Sequence, residues 1–217
     1  MENISKQIKQ LLFVTMLVLW IVPAFAQPRH QKSPVKHATL SDQLQDFILL
    51  TGHANITFNP PKNFREIRAP DDEDFSFDYA MELPGKDFEI WFQVKSEKQD
   101  WFTYIHNPKT PNATLANPDS LYIGNGEAQA IAFTGDKNYF VRILPQEVLA
   151  RNNADAGRSY LLTLLDLPQT KHYKYALMIS LQKNHIGSIL MVYFTNDKGP
   201  EFFKNLDLAS YCLKFNP

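Results

Sequence analysis

Two neighbouring runs of alternating apolar and polar residues constrain the fold of this chain most strongly. In FSFDYAME, residues 75–82, every second side chain is apolar: Phe75, Phe77, Tyr79 and Met81. The run FEIWFQVK, residues 88–95, repeats the alternation with Phe88, Ile90, Phe92 and Val94. A period of two is typical of half-buried β-strands. Because only the short turn LPGKD separates the runs, the sequence predicts an antiparallel hairpin.

The rest of the chain supplies helix and strand patterns in mixed order. An amphipathic helix is predicted over residues 39–50, with Thr39 as its N-cap and Gly52 at its end. A second helix is predicted to begin at Asn117-Pro118 and to end at Gly135, because proline is favoured at the first helical position. The residues that this helix is expected to bury are Leu121, Ala128, Ala130 and Ile131.

Further strands are predicted at residues 56–58, 138–144, 160–165, 173–182, 188–194 and 211–215, and further helices at 146–151 and 201–208. Consecutive strands joined by short polar turns pair in antiparallel fashion. We therefore predict a single α+β domain over residues 39–217, with a mainly antiparallel β-sheet and flanking helices.

Residues 1–26 have the pattern of a secretory signal peptide. Lys6 and Lys9 precede an apolar run, and Ala24-Phe25-Ala26 forms a small-residue box that predicts cleavage before Gln27. The alternative is a retained membrane anchor, but the apolar run is shorter than the roughly 20 residues that a spanning helix needs. We expect an exported protein, periplasmic or secreted, with no membrane span after cleavage. Residues 27–38 are too polar to pack and predict a flexible leader.

Charge and cysteine content narrow the function classes. The net charge is −1, which gives no basic surface for nucleic acid. Cys212 is the single cysteine, so no intramolecular disulfide can form. Its apolar neighbours predict a small core residue, and the alternative is a reactive or intermolecular thiol.

The stretch NNADAGRSYLLTLLD, residues 152–166, allows two interpretations. As part of an enzyme, Asp155 would act as a general base and Arg158 would hold an anion, on a loop freed by Gly157. As a connection, Asn152, Asn153 and Asp155 would cap and turn the chain before a buried strand, which is the usual role of these residue types.

Metal and cofactor signatures are absent from the sequence. His172 and His185 flank a predicted strand, so they would lie roughly 30 Å apart and could not share one ion. The chain has no G-x-S-x-G, H-E-x-x-H or P-loop motif. We therefore predict no metal site and no cofactor.

Aromatic residues are the candidates for partner binding. Trp91 lies on the face of its strand opposite Phe92, so it packs inside if helices cover both faces of the sheet. If helices cover only one face, Trp91 would join Trp101 and Phe102 in an exposed patch for a partner.

Two stretches resemble known families. ITFNPPKNFREI, residues 56–67, together with the order of elements, resembles the PsbP/Mog1-like α/β/α sandwich. Residues 152–162 and 173–197 are similar to exported proteins of unknown function from Bacteroidetes. The sandwich resemblance implies an adaptor or assembly factor rather than an enzyme, and no catalytic residue carries over from it.

These observations predict an exported, non-catalytic binding or adaptor protein with a protein or small-molecule partner. The alternative function is an exported hydrolase that uses Asp155 and Arg158.

Overall fold

A computed structural model describes residues 41–107 and 116–217. The predicted signal peptide, residues 1–26, the predicted leader, residues 27–38, and Thr39 lie outside the described residues.

Helices and strands alternate irregularly along the described residues. The helices are α1 (Asp42–His53), α2 (Lys98–His106), α3 (Pro118–Thr134), α4 (Gln146–Asn152) and α5 (Pro200–Ala209). The strands are β1 (Ile56–Phe58), β2 (Arg65–Ile67), β3 (Tyr79–Glu82), β4 (Phe88–Ser96), β5 (Phe140–Ile143), β6 (Ala156–Thr163), β7 (Tyr175–Lys183), β8 (Gly187–Thr195) and β9 (Leu213–Phe215). This composition confirms the predicted α+β class.

Seven of the described strands form one antiparallel sheet in the order β2-β3-β4-β8-β7-β6-β5. The predicted hairpin is confirmed, because Met81 of β3 is paired with Ile90 of β4. Strand β8 lies at the centre, where Met191 is paired with Phe92 on one side and Ile179 on the other. Strands β1 and β9 form a separate antiparallel pair in which Ile56 faces Phe215.

One face of the large sheet packs against α1, α5 and the β1–β9 pair. This first core contains Phe47, Phe88, Tyr193, Phe202 and Phe215, all nearly inaccessible to solvent. Helix α1 begins after Ser41, whose hydroxyl oxygen accepts a hydrogen bond from the Leu44 amide (3.1 Å), so the predicted N-cap Thr39 is wrong. The helix also continues through Gly52 to His53, and the amide of the next residue, Ala54, donates to the Leu50 carbonyl.

The other face packs against α3 and the loop before β3. This second core contains Trp91, Phe133 and Phe194, with the rings of Trp91 and Phe194 4.3 Å apart. Helices therefore cover both faces of the sheet, and Trp91 is only 2% exposed. The packed interpretation of Trp91 holds, and Trp91 cannot belong to an exposed patch.

The run 75–82 departs from its predicted alternation. Phe75 and Phe77 belong to the second core, whereas Tyr79 belongs to the first, and the strand begins only at Tyr79. Asp78 explains the change of face. Its carboxylate accepts a hydrogen bond from the Val94 amide (2.7 Å), in the place of a backbone carbonyl, so the chain bends there.

Helix α3 has the predicted ends and a different buried side. Asn117 caps its start, Pro118 occupies the first turn and Gly135 ends it in the left-handed conformation. The buried residues are Pro118, Tyr122, Gly126, Ala130 and Phe133, of which only Ala130 was predicted. The reason is Gly126, whose missing side chain lets α3 lie directly against Tyr160 of β6.

Candidate functional site

The sheet face beneath α3 changes from apolar to polar along the three central strands. On β4, Trp91 is followed on the same face by Gln93 and Lys95. On β8, Ser188 is paired with Lys95, and on β7, Ser180 lies in the same row as Gln93, with Leu190 of β8 between them. One half of this face therefore completes the second core, and the other half offers hydrogen-bonding groups.

Helix α3 crosses over the polar half and leaves a cleft of about 600 Å³. Its polar lining includes Asp78, Gln93, Lys95, Asn125, Gln129 and Ser188. The volume lies within the range of roughly 300–1,000 Å³ that is usual for small-molecule sites.

Several polar groups of the cleft are held by neighbours. The Gln93 side-chain nitrogen donates to the Ser76 carbonyl (3.0 Å), and the Gln93 side-chain oxygen accepts no hydrogen bond from a described residue. The Lys95 ammonium lies 3.1 Å from the Asp100 carboxylate.

Two amides of α3 have no such neighbours. Asn125 is exposed and makes no side-chain hydrogen bond with any described residue. The Gln129 side-chain nitrogen is shielded from solvent and also lacks a partner among the described residues. The cleft therefore contains hydrogen-bonding capacity that the folded chain does not use.

A buried carboxyl group lies behind the polar floor. Glu97 is 0% exposed, and it accepts hydrogen bonds from the Gln182 side-chain nitrogen (2.7 Å) and the Ser188 hydroxyl (3.2 Å). Burial raises the pKa of Glu97 above its ordinary value, against the lowering effect of these hydrogen bonds. Burial likewise raises the pKa of Asp78, against the effect of the Val94 hydrogen bond. Shifted pKa values of this kind are concentrated at functional sites in proteins.

The aromatic residues predicted to bind a partner do not lie together. Trp101 and Phe102 are on α2, while Trp91 is in the second core. The Trp101 ring stacks on His185 at 3.8 Å between centroids, and Phe102 is 55% exposed. Only Phe102 among the three presents a large apolar surface to solvent.

The structure also separates Asp155 from Arg158. The Asp155 carboxylate accepts hydrogen bonds from the Lys183 ammonium (3.1 Å) and the Asn184 amide (2.9 Å), so it fixes the turn between β7 and β8. Arg158 is paired with Glu127 of α3 at 3.1 Å. Neither residue lines the cleft, so the arrangement does not assemble them into one catalytic site.

The histidines within the described residues and Cys212 do not line the cleft. Within residues 41–107 and 116–217, no group of three or more His, Cys, Asp or Glu side chains is arranged to hold a metal ion. His172 contacts Asp166 and His185 contacts Asp119. Cys212 is buried in the first core, as expected for an apolar core residue.

Among the described residues, no helix has the length and apolar character required to cross a bilayer.

No family model matches the chain, and no curated protein matches it.

The sequence patterns considered above did not predict the cleft, although the strands carry a pattern that indicates it. Gln93, Lys95, Ser180 and Ser188 are polar positions on strands whose other ends are apolar on both faces. A strand covered by helices on both faces usually has a continuous apolar run, so its polar end can mark a cleft.

Proposed function

We propose that this chain is an exported, non-catalytic binding protein whose cleft beneath α3 takes a small neutral molecule bearing hydroxyl or amide groups. The polar half of the sheet face is the observation that carries this proposal. A helix packed on a sheet normally buries apolar residues, yet α3 here covers Gln93, Lys95 and Ser188 and leaves space between. Binding sites combine such a concave space with a few placed polar groups.

The state of the charged groups supports a neutral ligand over an anionic one. Lys95 already has Asp100 as its partner, and Asp78 is engaged with the Val94 amide. An anionic ligand would lose hydration without gaining a free positive charge, which is costly, because Lys95 is the one basic residue among the described lining residues and is already paired. Hydroxyl and amide groups both donate and accept, and they match the side-chain oxygen of Gln93 and the amide of Asn125.

The groups of the cleft favour binding over catalysis. General acid–base or nucleophilic chemistry usually needs a paired base and nucleophile, whereas the lining contains no histidine and no cysteine. Asp78 has a structural task in holding β4, and Glu97 is closed off behind Ser188. Asp155 and Arg158, on which the hydrolase alternative depends, do not line the cleft and are held by separate partners.

Binding can be tested with a panel of free monosaccharides, neutral amides, amino acids and organic acids. We expect neutral members to raise the melting temperature in a saturable way, and titration calorimetry to confirm one site. Asn125→Ala should weaken binding by roughly tenfold, as expected for the loss of one hydrogen bond of about 1.4 kcal/mol. Asn138→Ala is the matched control, because Asn138 is exposed, its side chain makes no hydrogen bond with a described residue, and it does not line the cleft.

Three outcomes would overturn the proposal. They are the absence of binding at millimolar concentrations of every compound, equal effects of Asn125→Ala and Asn138→Ala, and conversion of a bound compound into a product during incubation.

Export is tested separately by mass spectrometry of the protein recovered outside the cytoplasm. The pattern of residues 1–26 supports cleavage before Gln27. Retention of Lys6 and Lys9 in the recovered protein would contradict it.

A further inference from the structure

The two edges of the seven-stranded sheet are protected very differently. At the β2 edge, the Gln43 side chain donates to the Ile67 carbonyl (2.9 Å) and accepts from the Ala69 amide (2.9 Å). Arg65 and Glu66 add charges on the same strand. Such caps and charges prevent an edge strand from pairing with another chain.

The β5 edge has no comparable protection. Phe140, Val141 and Ile143 are 55%, 40% and 78% exposed, and Arg142 is the only charged residue of the strand. The Arg142 guanidinium lies over the Phe140 ring at 4.8 Å. No other described residue makes a hydrogen bond to the outer side of the strand. An exposed apolar edge of this kind is a template for strand pairing.

The hydrogen-bonding pattern between β5 and β6 shows which β5 amides point away from the sheet. The Leu144 amide donates to the Gly157 carbonyl, in the same register that pairs Phe140 with Leu161 and Arg142 with Ser159. Because hydrogen-bonded and non-bonded pairs alternate in antiparallel strands, the even-numbered residues bond β6. The amides and carbonyls of Val141 and Ile143 therefore face away from the sheet.

We propose that β5 pairs with β5 of a second copy of this chain, antiparallel about a two-fold axis with Val141 facing Val141 of the second copy. Only the outward-facing amides and carbonyls can bond the second copy, and these belong to the odd-numbered residues. In the hydrogen-bonded pairs of the dimer, an odd-numbered residue of one copy must therefore face an odd-numbered residue of the other. The register centred on Val141 also uses Tyr139 and Ile143, and it joins the two sheets into one.

Side-chain chemistry selects this register and favours a second copy as the occupant. Centring the pair on Arg142 would place two like charges directly opposite, which is unfavourable. Centring it on Val141 places Arg142 opposite Phe140 of the second copy, where the cation–π contact already made within the strand is repeated across it. A single strand thus supplies both complementary groups, as a two-fold interface requires.

The dimer should be weak, because pairing of one short strand buries less than the roughly 1,200 Å² of a standard interface. Sedimentation of the protein, purified as the expressing cell processes it, should show dimer growing between roughly 10 µM and 1 mM, the range suited to weak interfaces. Over that range, hydrogen exchange of the Val141 and Ile143 amides should slow severalfold. The Phe140 and Arg142 amides, already bonded to β6, provide the internal control and should not change.

Val141→Pro is the decisive variant, because it removes an outward amide while leaving the bonds to β6, and proline is tolerated on edge strands. It should abolish the dimer, whereas Val141→Thr, which keeps the amide, should retain it. A monomer at every concentration, a dimer that survives Val141→Pro, or equal slowing of all four amides would overturn the proposal. The proposal would also be overturned if the chain stayed monomeric by itself and β5 paired only with an added extended peptide of another protein.

Discussion

Two glycines of α3 should respond in opposite ways to the same substitution. Gly124 is exposed, and a Cβ atom built there meets nothing within 4 Å. Gly126 is buried, and its Cβ would lie 2.7 Å from the Tyr160 hydroxyl oxygen and 3.1 Å from the adjacent ring carbon. Tyr160 is 0% exposed, so its ring cannot move aside freely.

The magnitude follows from the two terms that the substitution changes. Alanine is better than glycine inside a helix by about 1 kcal/mol, and this gain is common to both positions. Gly124→Ala should therefore stabilise the protein by up to about 1 kcal/mol. Gly126→Ala has in addition an overpacking cost of about 1–3 kcal/mol, so the difference between the two variants measures the close contact alone.

Urea unfolding at constant pH would give both free energies of unfolding. Gly126→Ala should be less stable than Gly124→Ala by about 1–3 kcal/mol, and adding Tyr160→Phe, which removes the nearest atom, should recover part of the loss. If both alanine variants were stabilised equally, α3 would not lie against β6 at Gly126, and the described position of the cleft would be wrong.

Three further predictions concern buried side chains. Trp91→Ala should lower the free energy of unfolding by about 3–5 kcal/mol, as large core truncations do, whereas Trp101→Ala should cost clearly less in the same urea titration. Burial raises the pKa of Glu97 in the folded protein. The protonated Glu97 therefore stabilises the fold fully below its unfolded-state pKa. This stabilisation is lost as the pH rises through the folded-state pKa, by at most about 1.4 kcal/mol per pH unit. Glu97→Gln should therefore show a smaller fall in stability between acidic and neutral pH, and an unchanged fall would contradict the assignment. Burial raises the pKa of Cys212 to about 12, so iodoacetamide at pH 8 should label it only after unfolding, which intact-mass measurement would reveal; rapid labelling of the native protein would contradict this.

Local patterns in the sequence predicted much of the fold. The hairpin at residues 79–96, the cap at Asn117, the end of α3 at Gly135 and the helix after Pro145 depend on residues close together in the chain. Their chemistry acts within a few residues, so a single sequence carries the information.

Features that depend on distant contacts were predicted less well. The face of Phe75 changes because the Asp78 carboxylate reaches Val94, and the buried side of α3 is set by the contact between Gly126 and Tyr160. Strand order and the positions of neighbouring helices decide these outcomes, and alternation within one segment does not specify them.

The candidate site was the least predictable part. Its floor joins Gln93 with Ser180 and Ser188, which lie 87 and 95 positions later in the chain. Trp91 was a candidate binding residue because exposed tryptophan is common at interfaces, but it is buried by residues of α3, and the sequence of one strand does not specify that contact. The resemblance to the PsbP/Mog1-like sandwich stays a prediction.

The pairing of β1 with β9 determines when this protein can finish folding. Thr57 is bonded to Asn216 across a separation of 159 residues, and Leu213 and Phe215 complete the first core. The ribosome synthesises β1 long before β9, so α1 and β1 have no β9 to pack against during most of synthesis. Closing so long a loop is slow relative to local contacts. The first core therefore stays incomplete until the segment with Leu213 and Phe215 has been synthesised and has paired with β1.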